Sequence, residues 1–173
     1  MLELKNICFE RDNKKILKNI NFVIDNKKFV VITGPNGGGK STLAKIIMGI
    51  EKPDSGKIIL DGKDITDLSL TQRANLGIGF AFQQPVKFKG ITVHDLINLS
   101  IGKKVKFSEA CKYLSAVGLC PRDYMSREIN SSLSGGELKR IEIATVVARK
   151  CNLTIFDEPE AGIDLWSFNN LIQ

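Results

Sequence analysis

GPNGGGKST, residues 34–42, follows the apolar run KFVVIT at 28–33 and leads into TLAKIIMGI, whose apolar spacing is helical. The nonapeptide fits the phosphate-loop pattern: Gly34, four residues, then Gly39, Lys40 and Ser41. In 173 residues those four fixed positions would coincide by chance on the order of once in a hundred sequences. Context sharpens the reading, because a loop that leaves a buried strand and opens a helix converges backbone N–H groups and a positive helix end on an anion. Glycine suits such a loop because a side chain would hold phosphates away and because some positions require positive φ. Lys40 then reaches the β and γ phosphates of a nucleotide, and the Ser41 hydroxyl ligates Mg²⁺.

Around this loop the chain reads as α/β. Residues 2–9 and 20–24 form two short strands joined by the polar stretch Glu10 to Lys15, an antiparallel opening. KFVVIT is predicted as a strand buried on both faces. A strand is expected around 57–60, a polar segment runs to Asn75, and residues 77–83 are extended. Helical spacing from Thr92 to Met125 marks a helical insert, within about residues 90–135, followed by a helix at 135–150 and a buried strand at 152–156. Buried strands separated by helices predict a mostly parallel sheet in one domain spanning 1–173.

Two further segments carry chemistry. LTIFDE at 153–158 delivers two carboxylates at the end of a strand, where open α/β sheets place their ligands. Asp157 is the expected magnesium partner, and Glu158 can orient or deprotonate a water. LSGGE at 133–137 contains a capping box, Ser134 with Glu137, for the helix behind it. The glycines after the cap leave helix N–H groups uncovered, which makes a second anion site.

Composition excludes other classes. With 43% hydrophobic and 25% charged residues the chain is globular, and no apolar run approaches the roughly 20 residues that span a bilayer. Met1 opens no basic-then-apolar leader, so the expectation is a soluble, cytoplasmic protein. The four cysteines, at 8, 111, 120 and 151, lack the spacing of a zinc or redox site. A net charge of +6 is spread along the chain without a basic arm or interleaved aromatics, so a nucleic-acid partner is not expected.

Phosphate loop, LSGGE and acidic strand end, in that order, resemble the ABC ATPase superfamily over nearly all of the chain. The resemblance implies a P-loop NTPase with an antiparallel N-terminal subdomain and a helical insert. Gly34, Pro35, Asn36, Gly37, Gly38, Gly39, Lys40, Ser41 and Thr42 match its Walker A loop, Leu153 to Glu158 its Walker B, and Leu133 to Glu137 its signature. Gln83 matches its Q-loop glutamine, a catalytic and metal-facing position, and Asp164 in AGID its D-loop. By the same resemblance a second ATPase subunit packs head to tail, with ATP held between one Walker A loop and the partner's Ser134, Gly135 and Gly136, Glu137 closing that segment. Within the superfamily, AFQQPV at 81–86, REIN at 127–130 and SLSGGELKRIEI at 132–143 look most like the ATPase subunit of the Suf iron–sulfur cluster assembly system. That likeness implies soluble scaffold proteins as partners, and the alternative is the membrane subunits of a transporter.

The chain departs from the family in two places. Arg11 stands where transporter ATPases carry an aromatic residue against adenine; its planar guanidinium can stack in its place, and it reads equally as a solvated turn residue. The family also carries a switch histidine beyond the D-loop. The chain stops at Gln173, inside the helix before it, and its one histidine, His94, precedes the signature and reads as a helix-start surface residue. The expectation is a C-terminally incomplete cassette with part of its core uncovered; a nucleotide-binding module that does not hydrolyse ATP is the other reading.

Overall fold

The computed structural model describes residues 1–130 and 132–158 and divides the chain into two compact units, 1–78 and 79–173. In the first, β1 (Leu2–Arg11) pairs antiparallel with both β2 (Lys14–Ile24) and β3 (Ser55–Leu60), and β3 pairs with the short β4 (Lys63–Asp64), giving the order β2-β1-β3-β4. The opening strands are longer than expected. Asp12 and Asn13 both take positive φ, the geometry of a two-residue hairpin turn whose twist matches its strands, so β1 and β2 run right up to it. Leu2, Leu4, Ile7 and Phe9 are the buried residues of β1, a pattern that breaks strict alternation. The break is a bulge at Asn6, in the left-handed region at φ 51°, which inserts one residue and returns the apolar side chains to the same face.

Helix α1 (Lys40–Met48) follows the phosphate loop and buries Leu43, Ile46 and Ile47. Its C-cap is Gly49 at φ 85°. Helix α2 (Leu70–Asn75) was not foreseen, although its signal is present: Ser69 and Gln72 form a complete capping box. Its Arg73 is 1% exposed, and donates from Nε to Leu68 O (3.0 Å), from Nη1 to Ile46 O (2.7 Å) and Ile47 O (2.8 Å), and from Nη2 to Thr66 O (2.8 Å). One buried guanidinium thus ties the end of α1 to the segment before α2.

The expected strand at 28–33 is a correction. Residues 28–33 form no strand and pair with none among the described residues, and Phe29 is 90% exposed, with Val30, Val31 and Ile32 each about half exposed or more. An apolar run favours strand geometry, but a strand exists only where a neighbour accepts its backbone hydrogen bonds.

In the second unit β5 (Ile78–Ala81), which starts at the boundary, pairs with β6 (Leu153–Phe156). β6 is half-buried with Phe156 exposed, not fully buried as its composition suggested. Helices α3 (Val93–Ile101) and α4 (Phe107–Ala116) pack on α6 (Gly135–Arg149), with the short α5 (Pro121–Tyr124) between. Val93, Ile97, Leu114, Ile129, Leu138 and Ile141 centre their core. The insert is therefore helical as expected. His94 lies on α3 half-buried, its ring 6.0 Å from that of Phe107, rather than on the open surface. The four cysteines are unpaired thiols.

Candidate nucleotide site

The phosphate-loop residues lie in the first unit. Gly37 (φ 74°) and Gly39 (φ 90°) occupy the left-handed region, which an L side chain rarely adopts. A Cβ on Gly38 would stand 2.9 Å from the backbone oxygen of Pro35, and Gly39 is held to glycine by its left-handed backbone more than by the tip of Leu17, so the loop favours glycine at both. Gly39 is also the N-cap of α1 and supplies no side-chain cap, and the first turn holds no acidic residue. A helix start without a side-chain cap is the kind of end that suits an anion. Lys40 Nζ donates to Gly34 O (2.9 Å) and Pro35 O (3.0 Å), which places the ammonium across the mouth of the loop. Ser41 and Thr42 follow on the first turn, both half-buried.

Gln83, the signature segment, Asp157 and Glu158 lie in the second unit. Asp157 is 7% exposed, and its N–H donates to Ala81 O at 3.1 Å, extending the β5–β6 ladder by one residue. Glu158, at φ 47°, turns out of the strand, and its Oε2 accepts from Gln83 Nε2 at 2.5 Å. The ends of β5 and β6 therefore bring Gln83 and Glu158 together. The pair does not rest on β-sheet geometry alone: left-handed backbone at a non-glycine residue is held by its surroundings, here by that hydrogen bond.

The signature segment is a helix start with its cap complete. The Ser134 side chain accepts from Glu137 N (3.2 Å), and Ser134 N donates to Glu137 Oε2 (2.6 Å). Glu137 also accepts from the Tyr124 hydroxyl and lies 3.7 Å from Arg127 Nη1, whose guanidinium stacks 5.1 Å from the Tyr124 ring centre. The Tyr124 hydroxyl, more than the Ser134 N–H, holds the Glu137 carboxyl below the usual carboxylate range. Glu137 is thus committed to the cap, while Gly135 has open space where a Cβ would stand. The REIN segment is fixed by an isolated bridge between Glu128 and Thr92 and by Ile129 N donating to Ile91 O (3.0 Å). Asp164 lies outside the described residues. Arg11, at the expected adenine position, is exposed and ion-paired to Glu51 at 3.4 Å.

Sequence reading missed Lys139 and Glu142 of α6. Lys139 is fully buried and donates from Nζ to Phe82 O, Glu142 Oε1 accepts from Phe82 N at 2.9 Å, and the two charges lie 3.3 Å apart. Their signal is faint, since charges three apart on a helix ordinarily mark a solvated face.

A family model described as ABC transporter matches residues 17–161, most of the chain. The chain belongs to this family. It is 40% identical over 179 residues to MJ0035, an uncharacterized ABC transporter ATP-binding protein of Methanocaldococcus jannaschii, covering 99% of this chain and 72% of that protein. It is 34% identical over 172 residues to the spermidine/putrescine import ATP-binding protein PotA of Mesoplasma florum, covering 95% of this chain but 47% of that one. Among solved structures, the dimeric post-hydrolysis state of the ATP-binding cassette MJ0796, bound to ADP and Pi, superimposes with a TM-score of 0.86 at 29% identity, covering 100% of this chain and 80% of that one. The fold is that of the ABC cassette, a P-loop NTPase, and the enzyme class is ATP hydrolase. These relatives are named as transporter or cassette proteins, so the coarser ABC assignment stands and they do not carry the Suf-type one. Among the described residues no helix is long and apolar enough to cross a membrane.

Proposed function

We propose that residues 1–173 form one cytoplasmic ATP-binding cassette that hydrolyses Mg·ATP as a subunit of an ABC transporter, working as a head-to-tail pair. The contact from Gln83 Nε2 to Glu158 Oε2 at the paired strand ends carries the reading. It holds a carboxylate oriented as an acceptor, which is what activating a water requires. The phosphate loop fits a polyphosphate, because the loop favours glycine at 38 and 39 and α1 begins without a cap. Gly34 to Thr42 would hold the phosphates; as Mg²⁺ ligands the resemblance assigns Ser41 in the first unit and Asp157 and Gln83 in the second, and the ion would supply charge neutralisation at the transferred phosphoryl group. Ser134, Gly135 and Gly136 of one subunit would face the nucleotide of the other, Glu137 keeping that helix start in shape.

The partner reading is supported by an apolar groove of ≈ 170 Å³ lined by Phe80, Phe82, Pro85, Val86, Phe88 and Leu96 among others, residues that flank Gln83 in the chain. A membrane subunit's cytoplasmic loop would seat there, where closing and opening of the pair are felt at Gln83. The expected test is direct. Glu158→Gln should lower phosphate release by about 10²-fold or more while labelled ATP still binds. Unchanged turnover in Glu158→Gln removes the assigned role; ATP binding without phosphate release by the native chain would instead make it the non-hydrolysing module. The Suf-type reading remains as a second, favoured by AFQQPV and the REIN segment leading into the signature. Tagged protein that fractionates with membranes, and leaves them on Val86→Glu, supports the transporter reading; co-purification with a soluble scaffold alone supports the other.

A further inference from the structure

We propose that Lys139 and Glu142 are positioning residues for Gln83: a buried ion pair on the signature helix clamps both backbone groups of Phe82 and so sets the Q-loop glutamine against Glu158. The proposal rests on the roles given above to Gln83 and Glu158. β5 ends at Ala81, whose carbonyl is the last to join the ladder with β6, through Asp157 N. Phe82 therefore leaves the sheet with an N–H and a C=O that need partners. Both partners come from one turn of α6, with Glu142 Oε1 accepting the N–H at 2.9 Å and Lys139 Nζ donating to the C=O.

The pair is costly to bury, which argues that it answers a specific demand. Lys139 has no exposure and the Glu142 side chain 13%, and burial pushes the Glu142 carboxyl up despite the opposing Phe82 N–H and Lys139 ammonium. Apolar residues of the same size would generally be as stable or more so at such a site, but they cannot satisfy a peptide group. Phe82 is anchored further by its ring, 4.7 Å from that of Phe80 in an edge contact. The next residue is Gln83, with Nε2 on Glu158. A three-link path thus runs from the signature helix, through one peptide, to the glutamine and carboxylate. Where α6 moves, Gln83 must follow, so a change at the helix that begins with Ser134 reaches this subunit's own Glu158.

The test has one arm that requires no nucleotide. Amide hydrogen exchange of the full chain should show the 79–84 segment opening on the order of tenfold faster in Lys139→Met and in Glu142→Gln, with the β1–β3 segments unchanged. The second arm is a double-mutant cycle on ATP turnover. Lys139→Met should lower kcat with little change in KM, yet have no further effect in a Gln83→Ala background. Glu142→Gln, which keeps an acceptor and removes the charge, serves if Lys139→Met fails to fold. Unchanged exchange at 79–84 in the folded variants overturns the clamp. Equal loss of kcat with and without Gln83 leaves the clamp but overturns its action through Gln83, whereas absence of turnover in the native chain refutes only the hydrolytic reading on which that role depends.

Discussion

Replacing Arg73 with methionine keeps most of the buried volume and removes every hydrogen bond that the guanidinium makes. Four carbonyls lose a charged donor at 2.7–3.0 Å: Ile46, Ile47, Thr66 and Leu68. A hydrogen bond to a charged group contributes about 1.5–3 kcal/mol, and such values do not add when the bonds share one side chain. Ile46 O keeps a second donor in Gly49 N, so its loss is the smallest. Breaking such a buried network therefore costs about 3–5 kcal/mol. Chemical denaturation followed by circular dichroism should show a lower midpoint at unchanged slope. Arg73→Lys, which retains the charge without the planar fork, should recover about half of the loss. A loss below about 1 kcal/mol for the methionine variant, or full recovery with lysine, would refute the argument that the fork ties the end of α1 in place.

Lys40→Ala should weaken ATP binding at least tenfold, roughly 1.4 kcal/mol, because a charge-assisted phosphate contact is lost; affinity within about twofold of native, read by fluorescent-nucleotide titration, contradicts it. Tyr124→Phe removes the hydroxyl that chiefly lowers the Glu137 pKa from its ordinary 4.5. A depressed carboxyl pKa contributes stability that is complete above the ordinary value and vanishes as pH falls through the folded one. The variant should therefore melt lower than the native chain at neutral pH, with the gap closing as the pH falls below 4.5; a gap independent of pH excludes the carboxylate's part.

The phosphate loop, the LSGGE start and the acidic strand end were legible because each needs particular residue types at fixed spacing. Glycine is required at 38 by a backbone oxygen 2.9 Å from where a Cβ would stand and at 39 by a φ of 90°, and a capping box announces itself in four letters. What the sequence concealed depends on partners far along the chain. Phe29 to Ile32 reads as strand from its own side chains, but a ladder is decided by neighbours. Lys139 and Arg73 look like solvent-facing charges until the fold places backbone carbonyls over them. The capping box at Ser69 stands in a polar segment that carries no helical stripe, so its helix is announced only by Ser69 and Gln72. The Suf-like reading rested on short motifs, which identify a superfamily more firmly than a branch of it.

The uncovered run from Phe29 to Ile32 has a consequence for handling the protein in solution. Four neighbouring exposed apolar side chains, on a segment that joins no sheet among the described residues, form an adhesive ribbon, the kind of segment through which like molecules join edge to edge. The net charge of +6 keeps the molecules apart at low ionic strength, and added electrolyte shortens the reach of that repulsion to about 3 Å at 1 M. Aggregation would then grow with salt, opposite to the behaviour of an association held by ion pairs.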